Sequence, residues 1–364
     1  MKSLNPYNIS MPPSNNMANF SSHQLKTLTR EIFVKKGASQ EDAEIVSDLL
    51  VRANLAGHDS HGVIRISSYV KAIDEGKLNP KAKGVIEADD GATALINGNW
   101  GFGQVLASGA MKTAIDKGKK YGVSAVSIYN CWHIGRMADY CLMATEQEMI
   151  GITMVNSTPS VSPFGGVQRI FNPSPLGAGV PSGVEQPFML DISMSVCAQG
   201  KIDLKQARGE KLPPGWIIDR NGRPSVDPND FYEGGSILPI GGDVGYKGYG
   251  LAFLVDILTG ALSGSGCASS QEFHGGNGVF ILTLDVARFG ELEGFKSRMK
   301  EVITNVKTSR RAPNVSQIMI PGEPEFMTEE ARRMTGIFVE DPTWDAISEI
   351  AKGLGVAIPE PMRA

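Results

Sequence analysis

Six side chains able to hold or move a proton or an anion fall in one short stretch of the chain, AGHDSHGVIRISSY from Ala56 to Tyr69: His58, Asp59, Ser60, His61, Arg65 and Tyr69. A guanidinium grips a small carboxylate in two places, a phenol adds a directional hydrogen bond, and imidazole is the side chain whose ordinary pKa suits proton transfer near neutrality. The pattern predicts a helix entered through Asp59 and Ser60, both good N-cap types, and running to about Gly76. On a 3.6-residue period it sets His61, Arg65 and Tyr69 along one side and Val63, Ile66, Val70 and Ile73 along an apolar stripe. No HExxH or Cys/His cluster accompanies His58 and His61, so no metal is expected there.

Three further groupings carry possible chemistry. The run NCWHIGRM puts His133, Gly135, Arg136 and Met137 at a strand-to-helix junction, where α/β proteins present ligand-binding groups. Leu190, Asp191, Ile192 and Ser193 close a strand with a carboxylate and a hydroxyl, which suit either ribose hydroxyls or the capping of the next turn. The glycine-dense GGDVGYKGYG, Gly241 to Gly250, stands before a long apolar helix; open backbone, a helix N-terminus and Lys247 together suit a phosphate. Its G-x-x-G-x-G order is neither the dinucleotide fingerprint nor a P-loop.

The elements that must position these groups read as follows. Ser21 with Gln24, and Ser39 with Asp42, open two helices with apolar faces at Leu25, Leu28, Ile32 and Phe33, then at Ile45, Val46, Leu49, Leu50 and Ala53. From about Glu87 strands at 92–96, 123–129, 150–155, 188–192 and 279–284 mix with helices at 104–119 and 251–262. Helices return at 292–306, 328–333 and 343–353, with a loop carrying IPGEPE between them. The fold class is α/β. A leader over 1–20 is expected to be a flexible arm, 21–86 with 287–364 a helical domain, and 87–286 an α/β cofactor-binding domain.

The chain has 364 residues and a formal net charge of -4, with a pI near 5.8. Without a dense basic block, nucleic acid and anionic membranes are not the expected partners, and no apolar run is long enough to cross a bilayer. Cys131, Cys141, Cys197 and Cys267 are widely spaced without a CxxC, the usage of a reduced, cytoplasmic protein without disulfides.

AGHDSHG with its arginine and tyrosine, HIGR, LDIS, PPGWIIDRNGRPSVDP, LPIGGDVGYKGYGLAFLVDILTGALSG and IPGEPE, in this order, resemble the malate/L-lactate dehydrogenase type 2 family over about Ser21 to Gly355. The resemblance implies a non-Rossmann oxidoreductase that uses NAD or NADP, works as a homodimer and acts on a small 2-oxo or 2-hydroxy acid. Reduction of a cyclic imine acid, or a homologue that binds cofactor without catalysis, are the alternatives. By resemblance His61 matches the proposed proton donor, Arg65 and Tyr69 lie where substrate contacts are expected, and His133 matches a position treated as the acid or base in some relatives. Gly135, Arg136, Met137, Leu190, Asp191, Ile192, Ser193, Tyr246, Lys247, Gly322, Glu323 and Pro324 match cofactor contacts, as do Ser157 and Asn277. A 2′-phosphate would find Arg208 or Lys205. The expected helix favours His61 as donor, one turn from Arg65, with His133 orienting nicotinamide or substrate.

Overall fold

The computed structural model describes residues 19–362, so the expected flexible arm lies almost wholly outside the described residues. Strand β1 (Asn19–Phe20) precedes helices α1 (Ser22–Lys35), α2 (Gln40–Leu55) and α3 (Arg65–Asp74). Ser21 and Gln24 form the expected capping box on α1, and the Ser39 hydroxyl caps α2. Strands β2 (Val85–Asp90) and β3 (Thr93–Gly101), helix α4 (Gly103–Tyr121), β4 (Val123–Cys131), α5 (Ala138–Thr145), β5 (Met149–Val155), β6 (Leu176–Val180) and β7 (Phe188–Ile192) follow. Next come α6 (Gln199–Ala207), β8 (Ile217–Ile218), β9 (Pro224–Ser225), α7 (Pro228–Tyr232), β10 (Ser236–Ile237), α8 (Tyr246–Asp256) and β11 (Asn277–Asp285). The chain closes with α9 (Leu292–Thr308), α10 (Glu323–Thr335), β12 (Ile337–Phe338) and α11 (Asp341–Leu354).

The main sheet has seven strands in the order β2-β3-β4-β11-β5-β6-β7, and only the β3–β4 pairing is parallel. Because β11 runs antiparallel to both β4 and β5, its first residue Asn277 lies beside Cys131, and its Val279 beside Val155. The antiparallel β5-β6-β7 meander brings Ile192 to the same end, since Leu176 pairs with Ile192 and neighbours Met154. The segments after β4, β5 and β7 therefore start from one end of the sheet, together with Asn277.

Burial follows the sequence pattern. One core gathers Phe20, Leu28, Phe33, Leu50, Ile66 and Tyr69 with Ile337, Ile347 and Ala351, so N-terminal and C-terminal helices share it. A second, with Met111, Val126, Ile128, Tyr140 and Ile281, lies between the sheet and helices α4 and α5. A third, around Phe171, Ile217, Phe231 and Ile237, packs on the small sheet β10-β8-β9.

Two local expectations are corrected. The helix expected from Asp59 to Gly76 is broken: Asp59–His61 form one 3-10 turn, Gly62 is extended, and α3 starts at Arg65. Neither Asp59 nor Ser60 caps it, because Asp59 accepts from the Asn54 amide at 2.7 Å and from Arg332 of α10 at 2.6 and 3.0 Å. The glycine-dense run is not a loop ahead of the apolar helix either. Helix α8 already starts at Tyr246, with Gly245 as its cap, and ends in a π turn at Ile257–Ala261.

Candidate active site

Helix α3 and the segment after β4 meet at Tyr69 and His133. The Tyr69 hydroxyl lies 2.7 Å from Nδ1 of His133 and donates within 3.2 Å of the His133 carbonyl. Tyr69 is only 1% exposed, and the Gln104 amide donates to its oxygen at 2.7 Å. The His61 ring faces that of His133, centroids 5.4 Å apart and planes 29° off parallel, and its Nδ1 is 2.9 Å from the Ser60 hydroxyl. Arg65, one turn before Tyr69, donates through Nε to the Ser60 carbonyl at 2.7 Å. Its two terminal nitrogens have no protein partner among the described residues, so a guanidinium edge is left for a carboxylate.

Local packing explains why these groups converge. A Cβ on Gly62 would lie 2.1 Å from the Asn54 side chain, whose Oδ1 accepts the Val63 N–H at 2.8 Å. Only glycine lets the turn carrying His61 sit this close to α2. In the same way, a Cβ on Gly103 would lie 2.2 Å from the Trp132 carbonyl and 2.4 Å from that of His133. The first turn of α4 thus rests on the His133 backbone and delivers Gln104 to Tyr69.

Burial and nearby positive charge keep both imidazoles neutral. Burial, then Arg65 and His58, push His61 down to about 3. Burial, then Arg65 and His61, push His133 well below its ordinary value. Burial likewise raises the Tyr69 phenol, which stays protonated.

Of the residues matched to cofactor contacts, those of the β4–α5 segment, the end of β7 and the start of α10 lie beside one another. Gly135, at φ +80°, leads to Arg136, which is buried beside Asp139 at 3.4 Å; Arg52 approaches the same carboxylate oxygen at 3.2 Å. Asp191 accepts the Ala138 N–H at 2.9 Å, so it caps α5, which has no N-cap side chain of its own. Met137 packs close to Gly177 of β6, and Gly322 packs on Met189 of β7, a strand that also carries Leu190 and the exposed Ile192. Ser193 turns back to Ser195, and Glu323 accepts the Ile320 N–H at 3.0 Å at the start of α10, where Pro324 occupies the first turn.

Asn277 accepts the Ile134 N–H at 3.0 Å and donates to the Asn156 carbonyl at 2.7 Å; Ser157 follows, half-buried. The Asn156 amide continues to Asp256 at 3.3 Å, at the far end of α8. Tyr246 and Lys247 stand apart. Lys247 is exposed with its ammonium 5.9 Å from the Tyr246 ring, about 14 Å along the helix from Asp256. Lys205 and Arg208 pair with Glu210 and Glu340 at 2.8 and 3.0 Å.

Comparison with known proteins decides the family. The model for malate/L-lactate dehydrogenase matches residues 20–348. The chain belongs to the malate/L-lactate dehydrogenase family. It is similar to a malate dehydrogenase of Pyrococcus abyssi, 39% identical over 341 residues that cover 92% of this chain and 94% of the relative. A malate/(S)-sulfolactate dehydrogenase of Methanothermus fervidus is 35% identical over 341 residues, 92% of this chain and 97% of the relative. Among solved structures, a malate dehydrogenase from Pyrococcus horikoshii superposes with a TM-score of 0.86 at 36% identity, over 94% of this chain and 97% of that one. As a member of this dehydrogenase family, the chain is an oxidoreductase.

Gln104, Asn54, Asn156 and Asp256 escaped the sequence reading. Asn156 directly follows a strand expected over 150–155, the one signal that pointed to it. Gln104 and Asn54 sit inside helical patterns that account for them without any site, and Asp256 showed only as an interruption of the apolar helix expected over 251–262.

Proposed function

We propose that this chain interconverts a small 2-hydroxy acid and its 2-oxo acid with a nicotinamide cofactor, and that Arg65 holds the substrate carboxylate while His133 carries the proton. The observation that bears most weight is the 2.7 Å contact of His133 Nδ1 with Tyr69, on the helix that carries Arg65 one turn earlier. A base oriented by a third group behind it is the arrangement proton transfer needs. It supports His133 over His61, whose expected place on the helix of Arg65 is replaced by a separate turn. Tyr69, buried and turned to His133, serves better as the orienting group than as a substrate contact.

In reduction, a carboxylate on Arg65 offsets the charge that depresses His133, so substrate binding raises the imidazole pKa and readies it as an acid. When bound, the reduced nicotinamide supplies the hydride for C2. His133 Nε2–H then gives its proton to the developing alkoxide; in oxidation the neutral imidazole takes that proton back.

The residues fit a dinucleotide. Among the described residues Arg136 Nε and Asp139 Oδ2 are buried without partners and Lys247 has no acidic partner, and a Cβ on Gly242 would meet open space. Backbone at the start of α8 with Lys247 suits the phosphates, and Arg136, Met137 and the end of β7 suit the rest. The relatives above favour the hydroxy-acid reading over cyclic imine reduction or a non-catalytic homologue. No helix among the described residues is long and apolar enough to cross a membrane, and the free cysteines fit a cytoplasmic setting.

The test is a panel of malate, lactate and larger 2-hydroxy acids with NAD and NADP, run on wild type, His133→Asn and His61→Asn. His133→Asn is expected to lose about 10²- to 10⁴-fold in kcat with cofactor binding retained. Near-normal turnover in that variant with loss in His61→Asn would reverse the two roles.

A further inference from the structure

His133 lies between elements, where neither a sheet ladder nor a helix fixes the backbone. Strand β4 ends at Cys131 and α5 starts at Ala138, and of the N–H groups from His133 to Met137 only that of Ile134 has a hydrogen-bond partner among the described residues. That partner is the side chain of Asn277, whose Oδ1 accepts it at 3.0 Å. The bond acts on the peptide unit that His133 shares with Ile134. Because a peptide unit is planar and only two soft rotations flank each Cα, holding its N–H restricts the turn about the Cα–C bond of His133, and with it the direction in which the imidazole leaves the chain.

Asn277 has no hydrogen left for anything else. Its Nδ2 donates to the Asn156 carbonyl at 2.7 Å and to the Gly276 carbonyl at 3.1 Å, and the residue is 4% exposed. These partners also fix which end of the amide is which, since an N–H needs the oxygen and two carbonyls need the nitrogen. Behind Asn277 the packing is tight. A Cβ on Gly276 would lie 2.4 Å from the Cys131 carbonyl and one on Gly278 1.9 Å from the Thr259 carbonyl, so the start of β11 is set between the end of β4 and the π turn. Asn156, fully buried, accepts the Gly278 N–H at 2.8 Å and donates to the Gly266 carbonyl at 2.9 Å. We infer, on the reading of His133 as the proton carrier, that Asn277 is a positioning residue for proton transfer: it holds the His133–Ile134 peptide so that the imidazole meets a substrate on Arg65, and it does not bind the cofactor. A residue that acts only through His133 has no effect on turnover once His133 is replaced, whereas a cofactor contact keeps its effect.

The experiment is a double-mutant cycle on the full chain, with wild type, Asn277→Ala, His133→Asn and the double variant each checked for folding by circular dichroism. It reads kcat for the best hydroxy acid of the panel above and the affinity for NADH and NADPH by fluorescence titration. Asn277→Ala is expected to lose about 10- to 100-fold in kcat, the scale of a misplacement of about 1 Å, with cofactor affinity unchanged. The double variant is expected to turn over as slowly as His133→Asn alone and no slower. Should Asn277→Ala fail to fold, Asn277→Asp, which keeps an acceptor for the Ile134 N–H, takes its place in the cycle with a smaller loss. Unchanged kcat in a folded Asn277 variant, a fall in cofactor affinity, or a loss that multiplies onto that of His133→Asn would each overturn the inference and leave the reading of His133 standing. Normal turnover in His133→Asn would overturn that reading, and the role of Asn277 with it.

Discussion

Arg65 and His61 show how one short loop divides labour between grip and environment. Arg65 spends Nε on the Ser60 carbonyl and keeps its outer edge free, so Arg65→Met is expected to cut kcat/KM steeply while cofactor affinity, measured by fluorescence titration, stays nearly intact. A matching loss in cofactor binding would make Arg65 structural. His61 is pushed down to about 3, whereas in the unfolded chain it protonates near about 6.5. Between those values the unfolded chain binds the extra proton, so His61 contributes a loss of stability as pH falls through that window and nothing above it. His61→Asn should thus narrow the difference in Tm between pH 7.5 and pH 5; an equal difference would mean that His61 titrates normally in the folded chain. Arg65, His61 and His133 were readable in the sequence because their types are rare and chemically loud. Gln104 was not, since a glutamine in the first turn of a helix satisfies the helical pattern with no reference to the tyrosine that tertiary packing brings to it.

At the scale of elements, periodicity located most of the longer helices and five of the seven strands of the main sheet, missing the short α6 and α7 altogether, and hydrogen bonds from outside each segment decided where they stop. Apolar spacing carries on smoothly from Val63 to Ile73, so it predicts one helix. The break at Gly62 comes from Asn54, which fills the space a side chain would need and binds Val63 and Asp59. Asn54→Ala would leave the buried Val63 N–H without its acceptor, at a cost of about 1 to 3 kcal/mol. Denaturant unfolding measures it, and turnover is expected to fall as well, because the same clamp aims His61. Unchanged stability would mean that the turn holds its shape without Asn54. Helix α8 starting at Tyr246 brings Lys247 into the first turn, where backbone N–H groups lack partners within the helix. Lys247→Ala is expected to weaken cofactor binding by about 1.5 to 3 kcal/mol; unchanged affinity would remove this helix end from the site.

For the whole molecule, local pattern could not supply strand order. Strand β11 enters between β4 and β5 from far along the chain, and pairings of such separation leave no trace in any short window. The two-residue strands of β10-β8-β9 are too brief to show alternation. What the pattern did show, a helix apolar on nearly every side, has a consequence for assembly. Leu251 and Leu254 on α8 and Ile257 in the π turn that ends it make an exposed apolar stripe, with Leu254 51% exposed and Leu262 beyond it 59%. A helix of that kind is ordinarily buried, and contiguous exposed apolar surface marks an interaction site. The expected cover is a second copy of the chain. Sedimentation should then give twice the 39.0 kDa chain mass, with an interface of more than about 1,000 Å². Leu254→Glu, which puts a charge in the middle of the stripe, should yield a folded monomer with impaired turnover. A wild-type chain that sediments as a fully active monomer would show that the stripe serves no subunit contact.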